Sequence, residues 1–252
     1  MDSKQSKCVI WVVFSLGMIK MRRYHILIFF FLICGIACAW SQEQPRDSSQ
    51  VDSLYLEDQF YIGLGYNVLL DKPNDAVQRN LSYNLQLGFI KDIPFNKRRN
   101  FGLGLGLGYA VNSYYSNVVA TKVNNVVSYE VTSQADFNRN KLETHTVELP
   151  FELRWRTSTA EEYKFWRIYA GAKLGYVFSG RSRLVMEDGK EAFSNDDIEK
   201  FQYGLMVNFG YNTWNIHAYY ALNPFLKDGT VLQDGNPIDF RVLRIGVIFY
   251  IL

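Results

Sequence analysis

The sequence predicts an all-β protein: one eight-stranded, antiparallel, up-and-down transmembrane β-barrel. Three observations carry that expectation. The first is Phe101–Val111 (FGLGLGLGYAV), where Phe101, Leu103, Leu105, Leu107, Tyr109 and Val111 alternate with Gly102, Gly104, Gly106, Gly108 and Ala110. Successive strand residues point to opposite faces, so this strand has one greasy face and one bare face. A helix would lose about 1 kcal/mol at each interior glycine relative to alanine, and a wet surface gains nothing from glycines in file. They suit a face turned into a narrow lumen. The second observation is that such alternation recurs in eight segments joined by alternately short and long connections, the sidedness of outer-membrane barrels. The third is where the rings and charges go. Aromatic residues make up 16% of the chain; the apolar face takes most of them and almost no charge, as lipid contact and interfacial girdles require. A soluble barrel of lipocalin type, apolar inside, is the rival, but its solvated exterior would have no use for glycine.

The first forty residues read as a targeting segment. Met21-Arg22-Arg23 is a basic start, Ile26–Ala37 (ILIFFFLICGIA) an apolar stretch, and Ala39-Trp40-Ser41 leads to a cut before Gln42. Residues 1–41 are therefore expected to be a signal peptide with Met21 as its start, residues 42–57 a polar periplasmic lead-in, and residues 58–252 the barrel. Cys8, Cys34 and Cys38 all precede the cut, so the barrel has no disulfide framework and no cysteine metal site. Acylation at Cys38 would need an apolar residue three positions earlier, where Gly35 stands. A formal net charge of +2 advertises no nucleic-acid partner.

The strands follow in order. Phe60–Leu70 sets Phe60, Ile62, Leu64, Tyr66, Val68 and Leu70 against Tyr61, Gly63, Gly65 and Asn67, and Leu81–Ile90 repeats the pattern. A basic turn over Asp92–Arg99 leads to the glycine strand, and the polar stretch Asn112–Lys141 reads as a long loop. Thr144–Arg156 puts Val147, Leu149, Phe151, Leu153 and Trp155 on one face, and Lys164–Phe178 returns after a short connection. Ser179–Lys200 is a second long polar loop. Phe201–Tyr211 and Trp214–Leu222 form a hairpin on Asn212-Thr213, and after Asn223–Pro237 comes the last strand, Ile238–Leu252.

The polar faces hold the candidate chemistry. Glu148, Glu152 and Arg154 project inward from one strand, Arg167 and Lys173 from the next, and Arg244 from the last. Charges in a lumen walled by lipid must pair, so these six are expected to form an internal salt-bridge network that fills the barrel. A general acid–base pair of Glu148 with Glu152 fits poorly: positions four apart on one strand lie ~13 Å apart, wider than glycosidase carboxylates. His145 and His217 sit with no serine and acid at a recognisable spacing, and no cluster of histidines and carboxylates suggests a metal. No enzyme activity, cofactor or metal is expected. Gly63-x-Gly65 lies mid-strand, not at a strand-to-helix turn, and is no phosphate loop. Lys97-Arg98-Arg99 reads as a solvated basic turn. Arg244-x-Gly246-x-x-Phe249-x-Ile251 matches the pattern that looks like the outer-membrane assembly signal, which implies the barrel-assembly machinery as a partner and a Gram-negative source.

Several stretches also resemble a known group: Leu87–Tyr109, Val147–Ser158 (VELPFELRWRTS), Tyr163–Phe178, Tyr211–Pro224 and the terminal Phe249-Tyr250-Ile251-Leu252. They are similar to the small outer-membrane β-barrel proteins of Bacteroidota called PorT-like or "porin family", with the E-x-P-x-E-x-R run from Glu148 to Arg154 the most specific piece. The resemblance implies an eight-stranded barrel in the cell outer membrane, in contact with its lipids. It also implies a structural or interaction role connected with type IX secretion and its secretion-system proteins. With a filled lumen, "porin" would be a name and not an activity; a narrow conduit for small or apolar solutes is the alternative, and a lipid-modifying barrel enzyme a more distant one.

Overall fold

The computed structural model describes residues 58–78, 80–96, 98–133, 137–157 and 166–251. The chain divides into Met1–Val51 and Asp52–Leu252. The described residues all belong to the second unit, and the expected signal peptide and lead-in lie outside them. Strands run in the order β1 (Gln59–Leu70), β2 (Tyr83–Pro94), β3 (Phe101–Tyr115), β4 (Val118–Val123), β5 (Val126–Val131), β6 (Arg139–Arg156), β7 (Trp166–Val185), β8 (Lys190–Ser194), β9 (Phe201–Tyr211), β10 (Trp214–Ala221) and β11 (Arg241–Ile251).

Eight of them, β1, β2, β3, β6, β7, β9, β10 and β11, pair antiparallel in ring order, and β1 with β11 closes the sheet on itself. Closure leaves the eight-strand ring without an edge, and the fold is the all-β, eight-stranded barrel that the alternation predicts. No described helix is long and apolar enough to cross a membrane; this fold crosses with strands. The apolar rows face outward and are exposed, among them Phe60, Ile62, Leu64, Leu107, Leu153, Leu205 and Trp214. Rings gather at both ends of that apolar surface. Trp166 stacks on Phe209 (5.4 Å between centroids) and Trp214 meets Phe249 (4.8 Å) at the short-turn rim; Tyr176 meets Phe201 (5.1 Å) at the other. Five tyrosines, Tyr61, Tyr114, Tyr169, Tyr219 and Tyr250, turn inward and are buried, so the inner face is more aromatic than glycine alone would suggest.

The glycine file makes room for what the other strands send in. A Cβ at Gly104 would stand 2.6 Å from Arg154 Nε, and one at Gly106 would stand 2.7 Å from Ile90 Cγ1 and 2.8 Å from Pro150 Cγ. Both distances are far inside contact, so side chains from β2 and β6 already occupy the space beside β3.

The long connections differ from expectation. Asn112–Tyr115 continues β3, β6 begins at Arg139, and β4 with β5 forms a hairpin on Asn124-Asn125, both at positive φ (51° and 64°). That conformation matches the twist of a two-residue hairpin turn, and asparagine tolerates it. β7 likewise runs to Val185 and pairs there with β8. β2 extends through the expected turn to Pro94, and β11 starts at Arg241, not Ile238. The register slips between His145 and Thr146, whose partners are Ser179 and Val177, leaving Phe178 as an extra residue on β7. Such a bulge bends and twists the sheet; beyond it β6 and β7 continue past the apolar band.

Candidate functional site: a filled and capped lumen

Alternation alone aims Glu148, Glu152 and Arg154 at the axis from β6, Arg167 and Lys173 from β7, and Arg244 from β11; all six are buried. The structure gathers them into two groups. In the group nearer the long loops, Glu148 accepts from Lys173 Nζ at 2.8 Å and from Arg244 at 3.3 Å. Lys173 also donates to Gln86 Oε1 (2.7 Å), and Arg244 to Asn67 Oδ1 (3.2 Å) and Asn112 Oδ1 (2.8 Å). The Arg244 guanidinium lies 5.1 Å from the centre of the Tyr219 ring, within cation–π range. Both cations therefore satisfy their donors on neighbours from across the barrel.

In the second group Glu152 accepts from Arg154 Nε at 3.0 Å and from Asn208 Nδ2 at 3.1 Å. Arg154 lies 4.6 Å from the Tyr169 ring centre, while Arg167 lies between the Tyr169 and Tyr250 rings at 5.9 and 5.5 Å. Glu148 and Glu152 share no hydrogen-bond partner among the described residues and do not form one site. His217 Nδ1 is 2.6 Å from Asn208 Oδ1, which places it inside this packing. His145 instead faces outward, with Nδ1 2.6 Å from the Tyr109 hydroxyl.

Two residues central to the second group, Asp92 and Arg156, lie outside the six expected to form the network. Asp92 lies on the inward row of β2 and is fully buried; its Oδ1 takes Arg154 at 3.1 Å and Arg156 at 3.0 Å, and its Oδ2 takes Arg156 at 2.8 Å. Arg156 also donates from Nε to the Arg99 carbonyl at 2.7 Å, which ties the backbone of the short turn to the lumen. The signal was the even row Gln86, Gly88, Ile90, Asp92, which continues unbroken into what resembled a turn. Of the final-strand pattern, Arg244 points inward, whereas Ile251 faces out and is exposed.

The long-loop mouth of the lumen is closed by a small apolar core with no counterpart in the strand pattern. Phe225, Leu226, Ile238 and Phe240, from the β10–β11 connection, are each 1% exposed. They pack against the inward ends of the strands at Leu69, Tyr114, Tyr219 and Val242. Burying each such side chain is worth roughly 1.5–3 kcal/mol. Backbone bonds tie the loops together: Phe225 N to Phe240 O at 2.7 Å, Glu199 N to Phe225 O at 3.0 Å, and Gln233 N to Tyr129 O at 2.9 Å.

Tyr129 on β5 pins this cap. Its hydroxyl lies 3.0 Å from Asn195 Oδ1 and 3.2 Å from Asp197 Oδ2, and it accepts from Asn195 Nδ2 at 2.9 Å. Burial pushes its phenol above the ordinary value of 10.0; the Asn195 bond opposes and the Asp197 carboxylate reinforces the rise. The fold therefore holds the neutral form. Its contribution is complete below the unfolded phenol's pKa, about pH 10, and is lost as pH rises beyond it. Proteolytic nicking of the β10–β11 loop by an alkali-stable protease is expected to accelerate above that pH, by up to about tenfold per unit. Tyr129→Phe, having no proton to lose, should show a smaller step; an equal step in both proteins would contradict the pinning role.

Strands that are greasy outside and ion-paired inside belong in a bilayer, and the closed eight-stranded version is the architecture of an integral outer-membrane β-barrel. The chain belongs to the outer membrane protein beta-barrel domain family, whose model matches residues 40–227, and its place is the outer membrane. No curated protein matches it. Among solved structures it is similar to Ail, the attachment invasion locus protein of Yersinia pestis. The identity is 14% and the TM-score 0.35, over 77% of this chain and 97% of that one. A complex of the same protein with the heparin analogue sucrose octasulfate gives 15% identity and a TM-score of 0.33, over 79% of this chain and 100% of that one.

Proposed function

We propose that this protein is a non-conducting, non-enzymatic barrel that serves a structural or interaction role through the surface it presents at its long-loop rim. The observation that carries this reading is double closure. Buried ion pairs span the lumen from Asp92 to Arg244, and the Phe225–Phe240 cap covers its mouth. An eight-stranded interior is just wide enough for side chains to fill, so a solute path would require breaking both. Each lumen carboxylate is engaged by cations, which leaves none poised as a general base.

Planar-bilayer recording tests this. The purified protein is expected to give no stable conductance steps, and reproducible ion-selective steps would favour the narrow-conduit reading instead. The PorT-like stretches around Val147–Arg156 and Tyr163–Phe178 support a role beside secretion-system proteins in type IX secretion. In that case deletion should deplete the secreted proteome; an unchanged proteome would remove that partner class. The Arg244–Ile251 pattern fits recognition by the barrel-assembly machinery, so truncating it should lower insertion without changing synthesis.

A further inference from the structure

Beyond the bulge the outward face of β6 and β7 changes character. On β6 the outward row runs Trp155, Leu153, Phe151, Leu149 and Val147, then His145, Glu143, Lys141 and Arg139; on β7, Phe178 gives way to Arg181 and Arg183. From Trp155 to His145 is ten residues, about 33 Å of strand and ~24 Å along the membrane normal at a tilt near 45°. That is the height of the apolar band in outer-membrane barrels. Tyr109, His145 and Phe178, with ring centroids 6.1 to 6.2 Å apart, mark its upper edge. The cations on this wall therefore lie roughly 5–14 Å above that edge, at the depth of lipid headgroups.

The register concentrates cations, with one like-charged pair and one acid among them. Lys141 stands directly opposite Arg183, Glu143 opposite Arg181, and Arg139 opposite Val185, with Lys190 of β8 across the same row. Directly opposed like charges destabilise a sheet, so Lys141 opposite Arg183 costs stability, whereas Glu143 opposite Arg181 is a favourable pair. The one acid among them is already engaged: Glu143 bonds Lys141. That bond holds its carboxyl below the ordinary range, against burial, with Lys141, Arg183 and His145 adding to the fall. Among the described residues Arg139, Arg181 and Arg183 form no ion pair. Long loops of outer-membrane barrels face the cell exterior, where the leaflet is phosphorylated glycolipid.

We infer that the outward face of the β6–β7 extension binds the phosphate headgroups of outer-leaflet anionic lipid, with Arg139, Arg181 and Arg183 as the principal ligands. Guanidinium groups match phosphate oxygens two at a time; Arg139 and Arg181 are exposed and Arg183 partly so, whereas Lys141 is buried against Glu143 and adds only its charge behind them. Acyl chains would run down the exposed Phe178, Tyr176 and Leu174 row below.

The test reconstitutes the full mature chain in nanodiscs containing a few per cent of either bis-phosphorylated or dephosphorylated lipid A, and measures the lipid retained after repurification. The wild type is expected to retain the phosphorylated form at least tenfold better, and less in 0.5 M NaCl. R181Q should lose roughly fivefold of that preference, and R139Q/R181Q/R183Q nearly all of it, with heat-modifiable gel mobility reporting that the variants are folded. Equal retention of both lipids by the wild type, which needs no variant, would overturn the proposal. So would a triple variant that keeps the preference, or uptake of inorganic phosphate in detergent without any lipid selectivity.

Discussion

Glu148→Gln is expected to destabilise the folded barrel by about 3–5 kcal/mol, the cost of breaking a buried ion pair by removing one partner. Glu148 is the carboxylate that Lys173 and Arg244 share, at 2.8 and 3.3 Å, and all three side chains are at most 5% exposed. A neutral amide there leaves two buried cations without their shared counterion. Urea unfolding in liposomes, followed by the shift of the folded band on gels, measures the loss. The double variant Glu148→Gln/Lys173→Met separates pairing from generic damage. Removing the second charge should restore much of the stability, because the site then carries the same net charge as before and Arg244 keeps Asn67 and Asn112. Strictly additive losses in that cycle would show that the two residues do not interact.

Asp92→Asn should cost a comparable amount at the opposite end. Asp92 bridges Arg154 and Arg156 with three hydrogen bonds of 2.8 to 3.1 Å, and its side chain is 0% exposed. Arg154 retains Glu152 and Gln59 Oε1, and Arg156 retains the Arg99 carbonyl, but their common counterion is gone. Two guanidinium groups are then held side by side. The loss, about 3 kcal/mol or more, should appear in the same unfolding assay. A distinct second signature is expected at the short-turn rim: without its Asp92 counterion Arg156 holds the Arg99 carbonyl less firmly, and the turn after Pro94 should become more sensitive to protease. Wild-type stability together with an intact turn would contradict the role given to Asp92.

What could be read from the chain, and what could not, follows from one property of strands. Side-chain period of two is visible wherever one face meets lipid and the other the axis, so Phe60–Leu70, Phe101–Val111 and Phe201–Tyr211 declare themselves, and so do the inward charges on Thr144–Arg156. Above the membrane both faces of a strand meet water or other loops. Val118-Val119-Ala120 is buried throughout, and the hairpin it begins carries no alternation to detect. Phe225, Leu226, Ile238 and Phe240 pack from an irregular connection whose contacts are non-local. No sequence period reports them, and the capped mouth became legible only in three dimensions. Asp92 is hidden for a different reason: Pro94 and the basic run after it are turn residues, and they end the expected strand at Ile90, four positions short of its observed end.

The central claim is that the apolar rows meet lipid while the polar and glycine rows fill the axis. The residues after Cys38 contain no cysteine, so single labels can be placed cleanly on the mature chain. Spin labels at Leu149, Phe151 and Leu153 in liposomes should collide freely with dissolved oxygen and hardly at all with a water-soluble nickel chelate, with Phe151 the deepest. If those three positions were instead open to the nickel reagent and shielded from oxygen, the apolar rows would not face the bilayer, and the inside-out barrel described here would be wrong.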